Sequence, residues 1–480
     1  MKMPGFAGGT YQTKSAVMAG EDCVNLFPEP VPKGNKAQAA LLSAPGVREF
    51  ATMPEVGGRG IFSHNERLFT VFGRSLCEVA ESGAVTVIGT VAVDGNPVIF
   101  DTNGEGGDEL LASSGGAAHL VNLTTLALST PLASGSTQIG QLDSFFVSLD
   151  AATSTLRASD SLDGSVWNGL LVAQRTSASD PWIAMIVARG EIHLFGNKTG
   201  EVWYNAGLPL LPFAQRPEGF FQTGIAAPFS LSRFNGTIAW LGASEHGNPG
   251  VYTLDGYAPT KISTPGIDYL IQSYETHARI ANAVGWSYER EGHIFYVLSF
   301  PTAQRTLVYD ATTNEWHRRG YWDQATAQFT MYRPTFHAKC FSKNLVCGLA
   351  DNKIYELTDE VFTDVGGAPL RRVRRMGHLS MENQKIFFPS VELECDRGQG
   401  NADVANPTVN LRYSNDGGKT WGASRPASTG EKGDYGTRVR WNMCGSGRDR
   451  VWELWTSDPA EQRWMDFYVD ARVGRGRRAA

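Results

Sequence analysis

The chain has 480 residues, 42% hydrophobic, 11% aromatic and only 19% charged, with 53 glycines. That composition excludes a disordered chain, which is charge-rich and aromatic-poor, and no apolar run reaches the roughly 18 residues of a membrane-spanning helix. The formal net charge of −6 divides unevenly: residues 367–480 hold 19 Lys and Arg against 14 Asp and Glu, a net of +5, which leaves −11 in residues 1–366. An acidic body of this kind repels nucleic acid unless its cations cluster, so tight DNA binding by the body is not expected.

In chain order, residues 1–57 contain six prolines and no repeat, and read as an extended N-terminal arm. Its first 23 residues, MKMPGFAGGTYQTKSAVMAGEDC, lack the 7–15-residue apolar stretch of a secretory signal, so export is not expected. From residue 58 one grammar recurs: apolar strand, tight turn, alternating strand, turn, strand. The units cover 58–90, 95–130, 136–170, 182–224, 228–265, 280–320 and 327–366. Seven units in 309 residues give a period of about 44, the length of a four-stranded propeller blade. One small twisted sheet cannot bury both of its faces, whereas a closed ring of sheets leaves only short edges. The predicted fold class is therefore all-β: a β-propeller of about seven blades over 58–366, with six or eight blades, or two or three separate sandwiches, as the rivals. The one good helical pattern spans 266–284, with Ile267, Leu270, Ile271 and Tyr274 on one face. Residues 367–480 carry longer alternating strands such as PSVELECD and RVWELWTS, and read as a C-terminal β-sandwich with a basic tail.

Six cysteines, Cys23, Cys77, Cys340, Cys347, Cys395 and Cys444, form no CxxC pair. A zinc site and disulfide staples are not expected, and buried free thiols in a reducing compartment are. The sequons at Asn122, Asn197 and Asn235 then carry no glycan. The segment 414–421, SNDGGKTW, matches the Asp-box pattern S-x-D-x-G-x-T-W. Ser414 and Asp416 should bind backbone N–H groups, Gly418 should take unusual dihedrals beside Thr420, and Trp421 should plug the core beneath. A looser copy at 161–167 holds Asp163 and Trp167, and VYDATTNEW at 308–316 resembles a kelch-type turn. All three read as structural turns.

Catalysis finds little support. A sialidase needs an arginine triad and a Tyr/Glu pair, and no such constellation is spread over the blades. Asp101, Asp108 and Glu109 in DTNGEGGDE offer paired carboxylates for glycoside hydrolysis, or a weak calcium site, but glycine-diluted acids in one loop read first as a solvated turn. There is no HExxH, P-loop, GxGxxG after a strand or GxSxG. No catalytic, cofactor or metal site is expected. The run RRVRR places Arg371, Arg372, Arg374 and Arg375 at the domain junction. It is a phosphate strip or an interdomain or intersubunit salt-bridge strip. On a strand, Arg372 and Arg374 would face one way and Arg371, Val373 and Arg375 the other, too few together for a duplex footprint.

EDCVNLFPEP at 21–30, LLSAPGV at 41–47, DGSVW at 163–167, PFSLSRFNGTIAWLG at 228–242 and LVYDATTNEWHRRG at 307–320 together resemble the packaged DNA stabilization tail proteins of short-tailed phages. The resemblance spans most of the chain and is weakest in 367–480. It implies a non-enzymatic tail hub or nozzle in the virion tail, assembled in the host bacterial cytoplasm. It implies a homo-oligomeric ring, commonly of six copies, that closes the packaged head and forms the DNA exit channel. The partners it implies are an adaptor ring below the portal, a tail needle or plug, tailspikes or fibres, and transient non-specific contact with phage DNA, with no membrane insertion. The alternatives are a carbohydrate-binding or glycan-hydrolysing, sialidase-like propeller and an intracellular scaffold propeller.

Overall fold

The computed structural model describes every residue except 33, 35, 36, 38, 105, 177, 244–248, 278, 279 and 475–480. Six antiparallel sheets follow one another along the chain, with first strands Gly58–His64, Ile99–Thr102, Gln138–Leu142, Ala184–Ala188, Ser232–Phe234 and Val284–Arg290. A seventh begins at Pro334–Cys340. The first strand of each sheet packs against the first strand or first turn of the next, and Pro334–Cys340 packs against Gly58–His64. The ring is closed around a central channel of about 320 Å³ lined by these inner strands.

The turns that start the blades explain the regular spacing. In six blades the inner hairpin is a two-residue turn with both residues at positive φ: Asn65–Glu66, Asp143–Ser144, Arg189–Gly190, Asn235–Gly236, Glu291–Gly292 and Phe341–Ser342. Mirror-image turns of this kind match the right-handed twist of the strands they join. Three of the six have no glycine, so packing of the flanking strands holds a backbone that those residues disfavour on their own. The second blade departs from the pattern, with a longer loop from Asn103 to Asp108.

The arm expected over 1–57 is not a separate arm. Strand Gly46–Thr52 pairs antiparallel with Lys353–Thr358 and supplies the fourth strand of the seventh blade. The unit at 327–366 has only three strands in the blade, and its edge is covered by the beginning of the propeller's own chain. The rest of the arm enters the sandwich. One sandwich sheet contains Gly20–Val24, Arg372–Arg375, Asp449–Thr456, Thr408–Ser414 and Arg425–Ser428; the other contains Leu26–Pro30, Ala39–Ser43, Arg463–Val473, Ile386–Cys395 and Val439–Asn442. Phe6, Leu26 and Leu41 share one core with Val391, Trp452, Trp464 and Phe467. The sandwich expected from 367–480 alone is thus built from both ends of the chain. The basic tail beyond Gly474 lies outside the described residues.

The propeller and the sandwich share a sheet. Val24 pairs in parallel with Arg318, on the outer strand of the sixth blade, and antiparallel with Val373 of the sandwich. Next to it, Asn25 is fully buried at φ 55°. Its Nδ2 donates to the carbonyls of Gly320 and Arg371, both at 2.8 Å, and its Oδ1 accepts from the Gly320 N–H at 3.0 Å. Arg318 donates to Asp22 at 2.7 Å. Two strands beyond that of Arg318, His293 of the sixth blade lies between buried Asp310, 2.7 Å from Nδ1, and Glu29, which meets Nε2. Burial opposes a charge on His293, but the Asp310 and Glu29 hydrogen bonds outweigh it and raise its pKa; neighbouring His317 is driven the other way by its own burial.

The predicted helix is present but shorter, Pro265–His277, and buries Ile267, Leu270, Ile271 and Tyr274 against the fifth and sixth blades. Residues 278 and 279 of the predicted span lie outside the described residues, and Val284 already begins a strand. No helix among the described residues is long and apolar enough to cross a membrane. All six cysteines are buried free thiols. Burial pushes Cys23 and Cys395 up to about 12, far from the reactive thiolate.

Two predictions test the junction. Replacing Asn25 by Ala leaves a buried N–H and two carbonyls without partners, at about 1–3 kcal/mol per group, and the expected loss in urea unfolding is about 3–5 kcal/mol. A loss below about 1 kcal/mol would show that the contact is dispensable. His293 has a raised folded pKa, so its contribution is complete below about 6.5, the unfolded value, and is lost as pH rises through the folded value. The stability gap between the wild type and a His293→Gln variant should therefore shrink as pH is raised from about 6 to 9. A gap that widens over this range contradicts the Asp310–His293–Glu29 arrangement.

Candidate functional site

The run Arg371–Arg375 lies at the seam just described. Strand Arg372–Arg375 is paired on both sides, with Gly20–Val24 and with Asp449–Thr456. Pairing on both edges fixes the register, and the alternation of a strand sends its side chains to opposite faces. Arg372 and Arg374 point into the protein and are fully buried. Arg374 donates to the carbonyls of Gly9 at 2.9 Å and Gly5 at 2.5 Å, and so fastens the N-terminal segment; Arg372 donates to the Asp458 carbonyl at 3.0 Å. Neither reaches solvent, so the expected four-residue strip reduces to Arg371 and Arg375.

These two face a groove of about 560 Å³ between the sixth blade, the hairpin from Tyr321 to Thr330 and the outer face of the sandwich sheet. Arg375, Glu453 and Arg412 form one cross-strand row on that face. Glu453 accepts from Arg375 Nε at 2.9 Å and from Arg412 Nε at 2.6 Å. Trp421 lies against both cations, 5.1 Å from Arg375 and 4.8 Å from Arg412. Arg371 is held between two indoles, 3.9 Å from Trp322 and 3.7 Å from Trp455. Burial, and then the Arg412 charge, lowers its pKa to about 10, so it remains a cation at neutral pH. Arg305 and Arg318 complete the wall.

Chain separation hid this site. Arg412, Glu453 and Trp455 come from strands far from Arg371 in sequence, and only the strand pairing sets them side by side. One signal was available. TVNLRYS and DRVWELWT place Arg412, Glu453 and Trp455 at the positions that alternate away from the apolar set.

The turn motifs are built as their residues dictate, with one exception. Ser414 Oγ accepts from the N–H of Gly418 at 2.8 Å and donates to Asp416 at 2.6 Å. Asp416 accepts from the N–H groups of Lys419 at 3.0 Å and Thr420 at 2.9 Å, and from the Thr420 hydroxyl. The Ser414 bond first, then those of Thr420, hold its carboxyl well below the usual range. Gly417 and Gly418 sit at φ 74° and 88°. The exception is Trp421, which does not plug the core. It is half-buried on the outer face, and the space beneath the sheet is filled by Trp452 and Phe388. In the looser copy Asp163 accepts from the Ser165 N–H at 2.9 Å, while Trp167 donates to the Gly164 carbonyl at 2.8 Å and packs against the cluster of Leu120 and Phe146. In the kelch-type turn, Asp310 accepts from Thr312 N–H at 2.9 Å, and Trp316 is buried.

The acids considered for catalysis are dispersed. Among the described residues Asp101 is the one acidic residue lining the central channel, and it faces Arg233 at 3.5 Å. Asp108 accepts from the Thr124 hydroxyl, and Glu109 accepts from Asn103 and from the Gly164 N–H, which ties the second blade to the third. Glycoside hydrolysis needs two carboxyl groups flanking one bond, about 5–9.5 Å apart in open space, and among the described residues the channel lining holds no second one beside Asp101. Among the described residues no group of three His, Cys, Asp or Glu is placed to hold a metal.

Comparison with known families gives two matches that tile the chain. Residues 1–362 match the family described as bacteriophage P22 Gp10, beta-propeller, and residues 371–472 match bacteriophage P22 Gp10, beta-sandwich. No curated protein sequence matches the chain. Similar solved structures include the N-terminal domain of Nup159 (12% identity, TM-score 0.40, covering 71% of this chain and 99% of that one). The Neurospora crassa Pan2 WD40 domain matches at 10% identity and TM-score 0.40, over 66% of this chain and 97% of that one. An ancestral GH74 enzyme matches at 11% and 0.41, over 82% and 60%.

The two tryptophans of the sandwich sheet give a direct test of the corrected role. Trp452→Ala removes a fully buried side chain and should cost about 3–5 kcal/mol. Trp421→Ala removes a half-buried ring and two cation–π contacts, and should cost only about 1–2 kcal/mol. Equal losses in thermal unfolding would return Trp421 to the core.

Proposed function

The chain belongs to the bacteriophage P22 Gp10 family, and from that membership we propose that it is a hub or nozzle subunit of a short-tailed phage tail. The observation that carries the reading is the tiling: the two family matches follow the order of the two folded units, propeller then sandwich. In this reading identical copies, six by the family resemblance, form a ring below the adaptor, close the packaged head and leave an exit channel for DNA. A needle or plug occludes the channel, and tailspikes or fibres attach alongside. Assembly takes place in the bacterial cytoplasm, where six free thiols persist.

The fold supports a passive, load-bearing role. The propeller ring is sealed by strand Gly46–Thr52 and is joined to the sandwich through a common sheet. The net of −11 in residues 1–366 keeps phosphate from sticking as DNA passes. Of the four clustered arginines, two are buried and two sit in a narrow groove, so this run does not present a continuous row of cations to a duplex.

The expected outcome for purified protein is a ring of identical copies by electron microscopy and mass measurement. DNA binding at about 150 mM salt should be weak and indifferent to sequence. Tight, sequence-dependent binding at that salt would replace the conduit reading with one of DNA recognition, and a strictly monomeric protein that also fails to join the adaptor ring would remove the hub reading.

A further inference from the structure

We propose that the arginine groove between propeller and sandwich is a carboxylate-binding socket that receives an acidic segment from the propeller of a second copy of this chain. The inference rests on the ring reading above for the source of the acid; the binding chemistry follows from the groove itself.

The groove holds more positive charge than it can neutralise. Arg305, Arg318, Arg371, Arg375 and Arg412 face it, against Asp22 and Glu453. Asp22 is taken by Arg318, and Glu453 is shared by Arg375 and Arg412. No carboxylate among the described residues pairs with Arg371 or Arg305. Arg305 donates to the carbonyls of Gln304 at 2.8 Å and Phe329 at 3.1 Å, which fixes its guanidinium in the wall without discharging it. Arg371 makes no side-chain hydrogen bond among the described residues, and its Nε is buried without a partner. Uncompensated cations held away from bulk water favour the approach of an anion.

The geometry selects the kind of anion. Trp322 and Trp455 both pack on the Arg371 guanidinium, with its central carbon 3.9 and 3.7 Å from their ring centres. At the edge of the fork, paired N–H groups in one plane match a carboxylate bidentately. Clamping also removes rotamer freedom before binding, which lowers the ordering cost. The site is a notch between two units, not a ridge. A side chain or a single extended segment can enter it, whereas the phosphates of a duplex lie on the outside of a rigid cylinder and cannot reach its floor.

Charge points to the source. Residues 1–366 carry a net of −11 and residues 367–480 a net of +5. The two units of one copy are fixed by their shared sheet, so the groove cannot fold onto its own propeller. The propeller of a neighbour can meet it in a head-to-tail contact, and repetition of such a contact closes a ring when the rotation allows. Tryptophan and arginine clustered at one spot are the residue types that dominate interface energies.

The test uses the full chain, with a decaglutamate peptide, inorganic phosphate and a single-stranded DNA decamer as probes. Binding is followed by tryptophan fluorescence and association by mass measurement. Decaglutamate should bind, more weakly as salt rises, and should compete with self-association. Phosphate and the DNA decamer should bind at least ~10-fold more weakly. Arg371→Gln loses two cation–π contacts and should melt somewhat lower, by no more than Trp421→Ala, while still folding; Arg305→Gln should stay close to the wild type; and each should weaken both peptide binding and self-association by ~10-fold or more. If rings form and both variants assemble like the wild type, the socket proposal is wrong while the hub reading stands. If the peptide binds through Arg371 but the wild type never self-associates, a second copy is not the occupant and the ring reading fails with it. Preference for phosphate or DNA over the peptide overturns the carboxylate assignment.

Discussion

A single buried amide, that of Asn25, holds three parts of this protein together. Its donors reach the carbonyls of Gly320, which follows the outer strand of the sixth blade, and of Arg371, which leads into the sandwich. Its Oδ1 accepts from the Gly320 N–H, and the backbone carbonyl of the same residue accepts from the Ala44 N–H, where the arm turns back. An orphaned polar group at such a depth costs more than a made hydrogen bond returns, so the position tolerates little but an amide. The φ of 55° adds to this, because Asn enters the left-handed region more readily than most residues. The strand Gly20–Val24 just before it is then inserted between blade and sandwich, and the shared sheet follows.

Both ends of the chain are committed to this arrangement. The seventh blade lacks its outer strand until Gly46–Thr52 meets Lys353–Thr358, and the sandwich core lacks Phe6, Leu26 and Leu41 until the C-terminal strands exist. The contacts that complete each unit therefore join distant residues, about 300 positions apart in the blade (Thr52 with Lys353) and about 420 in the sandwich (Leu41 with Trp464). The two units are interdependent in a way that a linear domain plan does not suggest. Among the described residues, neither unit can be separated from the other without breaking sheet hydrogen bonds.

The same pairing separates structural from exposed charge. Arg372 and Arg374 act as internal fasteners for the Asp458 carbonyl and the N-terminal segment, while Arg371 and Arg375, one residue away, face the groove. Four adjacent cations thus serve two unrelated purposes, and the tryptophans around them are what keeps the outward pair in place.

The sequence by itself determined the repeat and therefore the ring. Alternation such as HIFYVLSF and turn pairs such as Asn235–Gly236 are local properties, and a strand with one apolar face must find a covering sheet wherever it lies. It also determined the helix face at Ile267, Leu270, Ile271 and Tyr274, and which arginines of the RRVRR run share a side. Glycine-free turns such as Phe341–Ser342 were silent, because their positive φ is imposed by the strands they join and not by their own preference. The fate of residues 1–57 was silent as well. A lone strand such as Gly46–Thr52 has no local signal that names its partner, since hydrogen bonds between strands are chemically alike and register is chosen by the faces that must be buried. Tertiary structure alone decided that Trp421 lies outside the core, and that Arg371 meets Trp322 and Trp455. Those contacts depend on which distant strands become neighbours, and only the closing of both units around the inserted Gly20–Asn25 segment settles that.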